Sequence, residues 1–312
     1  MKIKILVALQ SFGQHSDIPL KLLKNSGAEV IFNDLKHRLT REEIIKLGNA
    51  CDGIIAGVEP YDKPVLDKLE KIKCLSRCGV GIDNIDCKIA EERKIKILNT
   101  PNVVVQPVAE MVIAMAFDLL RLLTLNTNNM RSGKWEKKAG HLLQGRKVGI
   151  VGLGRIGKRV AELFKALGAI VYGFDIYPDQ NWLTTASIEL LPIEELFKIV
   201  DIVSFHVSIS NDNPFIMNKK YLDLMKPGSL LINTSRGSVI DEADLFSALK
   251  SNHLAGAGLD VFSKEPYDGE LTTLQHVVIT PHVSTLTQES RAQMEIEATE
   301  NIINFFKLPM EK

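Results

Sequence analysis

The sequence predicts an α/β protein of two doubly wound parallel-sheet domains, one of them discontinuous. Three observations carry this reading. Short apolar runs alternate with amphipathic stretches before residue 100, a glycine turn at 152–157 opens a second alternating series, and the last helical stretch has no strand of its own to cover. Such alternation is the pattern of a parallel sheet covered on both faces by helices. A chain of 312 residues also exceeds the size at which a single core usually stops growing.

In the first series the stretches 3–9, 29–32, 53–57, 74–78 and 96–98 read as strands, and 19–25, 40–47, 63–70 and 87–93 as helices. Thr40 and Glu43 have the spacing of a capping box. Residues 108–125 are strongly apolar and read as one buried helix, long enough to cross between two lobes. The second series places strands at 147–151, 169–174, 201–207, 229–234, 255–261 and 276–280, with a helix over 158–167. The helix over 287–306 is expected to fold back onto the first lobe. The domains are then 1–101 with 286–312, and 102–285.

The glycine turn is Gly152-Leu153-Gly154-Arg155-Ile156-Gly157, set between a strand and a helix. The first glycine permits the turn, the second lets backbone approach a pyrophosphate, and the third lets helix and strand pack closely. The phosphates would rest on the helix N-terminus. Asp175 ends the next strand, roughly 20 residues on, where a ribose-binding carboxylate belongs. Ile176 and Tyr177 follow it, so no arginine stands ready for a 2′-phosphate, and NAD is favoured over NADP.

Charge narrows the partners. The 38 basic and 38 acidic residues balance and form no long run of one sign, so neither nucleic acid nor an anionic membrane is indicated. The basic, apolar start at 1–9 is too short for a signal peptide, and no apolar run reaches the ~18 residues of a membrane span. A soluble, cytoplasmic protein with a small-molecule partner is expected. Cys51, Cys74, Cys78 and Cys87 form no paired C-x-x-C units and have no histidine beside them, so reduced thiols are expected rather than a metal site.

Ligands of open parallel sheets bind at the carboxyl ends of the strands. Three reactive side chains fall there: Arg236 after the 229–234 strand, Glu265 after 255–261, and His282 after 276–280. With Gly79-Val80-Gly81-Ile82-Asp83-Asn84-Ile85-Asp86, Asn99-Thr100-Pro101-Asn102, Val108-Ala109-Glu110 and Gly133-Lys134-Trp135-Glu136 in the same order, the sequence resembles the D-isomer-specific 2-hydroxyacid dehydrogenase family, most closely its D-3-phosphoglycerate dehydrogenase branch.

The resemblance implies a flavodoxin-like substrate domain interrupted by an inserted Rossmann NAD-binding domain, and a homodimer. It implies a catalytic set of Arg236, Glu265 and His282. A guanidinium suits a 2-hydroxy acid because it binds carboxylate and reacting oxygen together. An imidazole can move the hydroxyl proton near neutral pH, and a neighbouring carboxylate favours its protonated form. Cofactor contacts map to Val80, Gly152, Gly154, Arg155, Ile156, Gly157, Asp175, Val207, Thr234, Ser235, Asp260 near the carboxamide, and His282 to Thr285, including Val283 and Ser284. His206 would pack beside the cofactor; His15, His37, His141, His253 and His276 have no supporting context and read as structural. The substrate would meet the backbone N–H groups of Gly79, Val80 and Gly81, with Arg77, Asn102 and Lys137 nearby.

The resemblance makes 3-phosphoglycerate the first candidate substrate, within serine biosynthesis. Glyoxylate, hydroxypyruvate or D-lactate chemistry is the alternative, and an NAD(H)-sensing binding protein a remote one. Glu265 argues against formate dehydrogenases, whose histidine is partnered by glutamine. Lys137 stands where the branch has an arginine, Gln106-Pro107 is unusual, 206–210 lacks the family's usual proline, and 211–214 is atypical. The chain stops at Lys312, where many phosphoglycerate dehydrogenases continue into regulatory domains, so feedback through such a domain is not expected.

Overall fold

The computed structural model describes residues 2–207 and 216–309. It divides into two compact units, Met1–Val104 with Leu286–Lys312, and Val105–Thr285.

The first unit alternates β1 (Lys4–Val7), α1 (Ile18–Asn25), β2 (Glu29–Phe32), α2 (Arg41–Gly48), β3 (Gly53–Ala56), α3 (Lys63–Leu66), β4 (Cys74–Arg77), α4 (Cys87–Glu92) and β5 (Lys96–Leu98). All pairings are parallel, in the order β2-β1-β3-β4-β5, the flavodoxin-like arrangement. Leu6, Ile54 and Leu75 from the strands pack with Ile44, Val65 and Leu66 from the helices, all fully buried. Thr40 caps α2 with the reciprocal Glu43 bonds of a capping box.

The second unit runs α5 (Val105–Arg121), α6 (Leu123–Arg131), β6 (Lys147–Val151), α7 (Arg155–Ala166), β7 (Ile170–Phe174), α8 (Gln180–Ala186), β8 (Glu189–Leu190), α9 (Ile193–Ile199), β9 (Ile202–Phe205), α10 (Lys219–Leu222), β10 (Ser229–Asn233), α11 (Glu242–Lys250), β11 (Leu254–Leu259) and β12 (Val277–Ile279). The strand order is β12-β11-β10-β9-β6-β7-β8. Every residue of β9 and β10 is buried, as a parallel sheet covered on both faces requires. Strand order reverses beside β6, and ligands of open α/β sheets bind at such a switch point. The last helix, α12 (Gln288–Phe305), packs against α1, β3, β4 and β5 of the first unit.

The apolar stretch 108–125 is not one helix. It ends at Arg121, Leu122 turns into the left-handed region at φ 54°, and α6 begins. Asp118 explains the break: its carboxylate accepts from the Thr124 N–H at 2.8 Å and the Thr124 hydroxyl at 2.5 Å, so it serves the new N-terminus. Within its own unit α5 lies on α7, β10, β11 and β12, with eight of its 17 residues buried. The helix expected over 63–70 stops at Leu66, because Leu69 and Ile72 reach the core through single turns.

Cys51, Cys74 and Cys78 are buried free thiols, and Cys87 is an exposed one. Among the described residues no cluster of His, Cys, Asp and Glu could hold a metal, and no helix is long and apolar enough to cross a membrane. The atypical stretch 208–214 lies outside the described residues.

Candidate active site

The nucleotide turn follows directly from β6. Gly152 has φ +93°, and a Cβ there would lie 2.5 Å from the His206 carbonyl oxygen, so only glycine fits. A Cβ on Gly157 would lie 1.9 Å from the Gly152 oxygen, which brings α7 close against the turn. At Gly154, the N-cap of α7, a Cβ would meet nothing within 4 Å. Two glycines are therefore demanded by packing and one by what must approach from outside. That is the division of labour a pyrophosphate on a helix N-terminus needs.

Asp175 follows β7. One carboxylate oxygen accepts from the Leu153 N–H at 2.5 Å and the other from the Tyr177 N–H at 2.7 Å, so the acid is fixed against the glycine turn. Thr234, at the end of β10, buries a hydroxyl oxygen that has no hydrogen-bond partner among the described residues. An orphaned buried hydroxyl at the carboxyl edge of the same sheet as the glycine cradle fits a polar ligand. Gly152, Gly154, Arg155, Ile156, Gly157, Asp175, Thr234 and Ser235 are the residues that would hold NAD. His206 Nε2 lies 2.9 Å from Ser204 Oγ, and burial pushes its imidazole down to about 3. It is neutral at physiological pH, which suits packing beside Val207 rather than proton transfer.

The three reactive side chains come from adjacent strand ends of this unit. Arg236 has extended backbone and opens a 3-10 turn over Gly237–Val239. It donates through Nη1 to the Ser235 carbonyl at 2.8 Å. A Cβ on Gly237 would lie 1.9 Å from the Phe262 carbonyl carbon, so the turn after Arg236 is pressed onto the loop after β11. In that loop Glu265 accepts from the Phe262 N–H at 3.1 Å through Oε1 and meets His282 Nδ1 at 2.9 Å through Oε2. His282 is a left-handed residue, φ 55°, with its side chain half exposed. Asp241 is engaged as the N-cap of α11.

Asp260 is not laid open for a ligand. It is fully buried, and its oxygens accept from Thr280 Oγ1 at 2.5 Å, Val283 N at 2.8 Å, Ser284 N at 2.8 Å and Ser284 Oγ at 2.5 Å. Those four donors account for the roughly four lone-pair positions of a carboxylate. The carboxamide contact expected at Asp260 would share an oxygen that already holds protein donors. Two further residues of this framework carried no role in the sequence reading. Asn233 holds the Arg236 turn, and Glu242 accepts from the Ser263 N–H at 2.6 Å. Polar residues at strand ends are common, so neither had a distinguishing signal.

In the first unit, Arg77 ends β4 and donates to the Cys78 carbonyl oxygen. Its guanidinium lies over Gly79, where φ is +137° and a Cβ would come within 2.6 Å of Nη1. The Gly79 N–H donates to Thr100 Oγ1 at 2.9 Å and is not available to a substrate carboxylate, contrary to the sequence expectation. Val80 is tied through its carbonyl to Asn99 Nδ2 at 3.0 Å. Burial lowers the Arg77 guanidinium from its ordinary value, and the Glu59 carboxylate opposes that shift. Glu59 is itself 3% exposed and raised by burial, while accepting from the Gly57 N–H at 2.8 Å. Asn102 is exposed in the turn before α5, and Lys137 is exposed in the segment after α6.

A dinucleotide-type sheet with guanidinium, carboxylate and imidazole at its carboxyl edge has the architecture of a dehydrogenase. A family model of the D-isomer specific 2-hydroxyacid dehydrogenase NAD binding domain matches residues 113–284. A glyoxylate reductase of Korarchaeum cryptofilum is 34% identical over 275 residues, 85% of this chain and 83% of its own. A D-3-phosphoglycerate dehydrogenase of Methanocaldococcus jannaschii is 33% identical over 96% of this chain but only 59% of its own length. A Thermus thermophilus protein of solved structure, 31% identical, superimposes with a TM-score of 0.88 over 98% of this chain and 97% of its own. The chain belongs to the D-isomer specific 2-hydroxyacid dehydrogenase family and is an NAD-dependent oxidoreductase.

Proposed function

We propose that this enzyme interconverts an (R)-2-hydroxy acid and its 2-keto acid, with 3-phosphoglycerate and 3-phosphohydroxypyruvate as first candidates. The observation that carries the chemistry is the 2.9 Å bond between Glu265 Oε2 and His282 Nδ1. It leaves Nε2 to carry the transferred proton. NAD supplies or accepts the hydride. In reduction His282 gives its Nε2 proton to the keto oxygen, and Glu265 stabilises the imidazolium that supplies it. In oxidation the same nitrogen takes the proton back. Arg236 binds the carboxylate through its planar donors.

The phosphate reading rests on Lys137, a cation able to neutralise a phosphate without bidentate geometry, and on the phosphoglycerate dehydrogenase relative. A second reading, glyoxylate or hydroxypyruvate, is supported by the glyoxylate reductase relative, which this chain matches over 83% of that protein's length.

NADH oxidation across 3-phosphohydroxypyruvate, hydroxypyruvate, glyoxylate and pyruvate decides between them. Turnover confined to the phosphorylated acid places the enzyme in serine biosynthesis; preference for an unphosphorylated acid selects the second reading. Silence across the panel overturns both and returns attention to a nucleotide-sensing role. A C2 homodimer is also proposed, supported by Met130, Trp135 and Leu142, which are 54%, 77% and 71% exposed along α6 and the segment after it. Light scattering at a single-chain mass overturns it. A cytoplasmic site of action is proposed as well, and fractionation of the source cells tests it.

A further inference from the structure

We propose that Glu59 and Arg77 together read the substituent on the third carbon of the substrate, and that the substrate they fit carries a free hydroxyl there: hydroxypyruvate in reduction, glycerate in oxidation. The inference rests on the hydroxy-acid reading above, and it selects hydroxypyruvate within the second form of that reading.

Two adjacent strand ends of the first unit are built alike. β3 and β4 run parallel with Ala56 opposite Arg77, and the Cys78 N–H donates to the Ala56 carbonyl at 2.8 Å. After β3 the Glu59 carboxylate folds back over Gly57, where a Cβ would lie 2.8 and 2.9 Å from its two oxygens. After β4 the Arg77 guanidinium lies over Gly79, where a Cβ would come within 2.6 Å of Nη1. An added methyl at either glycine would push the charged group aside. The loops that follow are tied together, since Asn84 Nδ2 donates to the Gly57 carbonyl at 3.2 Å and the Glu59 carbonyl at 2.6 Å.

Both side chains are withdrawn from water and incompletely satisfied. Glu59 is 3% exposed, and its Oε2 accepts from the Gly57 N–H and lies 3.5 Å from the hydroxyl of the fully buried Tyr61. Carboxyl and guanidinium feel each other's charge. Arg77 Nε is nonetheless buried with no hydrogen-bond partner among the described residues. A buried donor left unmade is costly, so the site calls for an acceptor.

The partner that completes it offers a lone pair to Arg77 Nε and a proton to Glu59. A hydroxyl offers both. The methyl of pyruvate offers neither, glyoxylate has no third carbon, and the ester oxygen of a 3-phosphate accepts without donating. A site built to hydrogen-bond a substrate hydroxyl rejects the analogue that lacks it, because its own buried groups are then left unpaired.

In the full-length enzyme, kcat/KM for hydroxypyruvate is expected to exceed that for pyruvate by roughly 10²-fold or more. Glu59→Leu removes the acceptor and is expected to cut that ratio by roughly 10- to 100-fold, the range for hydrogen bonds to charged groups, with pyruvate turnover within about threefold of wild type. Glu59→Gln keeps an acceptor and is expected to hold the ratio within about fivefold. Damage to the fold alone would lower both acids together and leave the ratio in place. Should Glu59→Leu fail to fold, the unbranched Glu59→Met carries the same expectation.

An unchanged ratio in Glu59→Leu or Glu59→Met would overturn the inference. A wild-type preference for 3-phosphohydroxypyruvate, glyoxylate or pyruvate would overturn it too, and would leave the hydroxy-acid reading standing. Silence of the wild type across all of these acids removes that reading itself, and this inference with it.

Discussion

Glu265 and His282 stand 17 positions apart in sequence, and their side chains meet at 2.9 Å between Oε2 and Nδ1. One member follows β11 and the other follows β12, and the two strands are parallel neighbours in register at Leu259 and Ile279. The pairing of two strands is what brings a carboxylate onto an imidazole. His282→Ala is expected to slow the chemical step by roughly 10²- to 10⁴-fold, the usual worth of a positioned acid–base group. NADH binding should be nearly unchanged. Pre-steady-state NADH oxidation with the preferred keto acid, beside a fluorescence titration, checks both halves. Unchanged turnover would remove His282 from the mechanism.

The three fingerprint glycines should respond differently to the same added methyl. Gly157→Ala places a carbon 1.9 Å from a backbone oxygen that cannot give way, so a loss of roughly 1–3 kcal/mol in folding stability is expected, the range for overpacking. Gly154→Ala meets nothing within 4 Å and should keep the wild-type Tm. It should nonetheless weaken NADH binding by about tenfold or more, because the methyl occupies the approach to a pyrophosphate. Thermal unfolding and an NADH titration on both variants test the contrast. Equal NADH affinity for Gly154→Ala and wild type would show that the cradle is not used.

Asp175 is expected to set the preference for NADH over NADPH. Both its oxygens are pinned by backbone N–H groups, at 2.5 Å from Leu153 and 2.7 Å from Tyr177, so its negative charge has a fixed place beside the glycine turn. A 2′-phosphate there would meet like charge. Asp175→Ala should lower the ratio of kcat/KM for NADH over NADPH by about tenfold, the equivalent of one unfavourable interaction near 1.4 kcal/mol. An unaltered ratio would place the discriminating contact elsewhere.

The sequence was legible where chemistry and periodicity coincide. β2, β5 and β6 begin and end where the apolar runs do, and the runs that end in Asp175, Arg236, Glu265 and His282 deliver those residues to strand ends. It was illegible where a distant partner decides the outcome. Asp118 sits inside an apolar run, and only its bonds to Thr124 reveal that the run is two helices. The Gly79 N–H looks free in sequence until Thr100, 21 positions away, takes it. Asp260 reads as one more acid after a strand, and its four donors come from 20 to 24 positions on. β8, at two residues, is too short to leave a period at all.

The base of the second sheet gives a pH-dependent prediction with a definite sign. Asp201 lies just before β9. Partial burial opposes its ionisation, but bonds from Lys226 Nζ at 2.6 Å and the Lys147 N–H at 2.9 Å, with the Arg146 charge, hold its carboxyl below the ordinary aspartate value. A carboxylate depressed in the folded state binds its proton more weakly there than in the unfolded chain. Its stabilisation is therefore complete above the unfolded value near 3.9 and is lost as pH falls through the folded one. Asp201→Asn should cost roughly 1–2 kcal/mol at pH 7, within the range for hydrogen bonds to charged groups on a side chain about one-fifth exposed. The difference from wild type should narrow as the pH is lowered below about 4. Urea unfolding at pH 7 and at pH 3.5 measures it. A deficit that stays constant across that interval would mean that the aspartate contributes by shape rather than by charge.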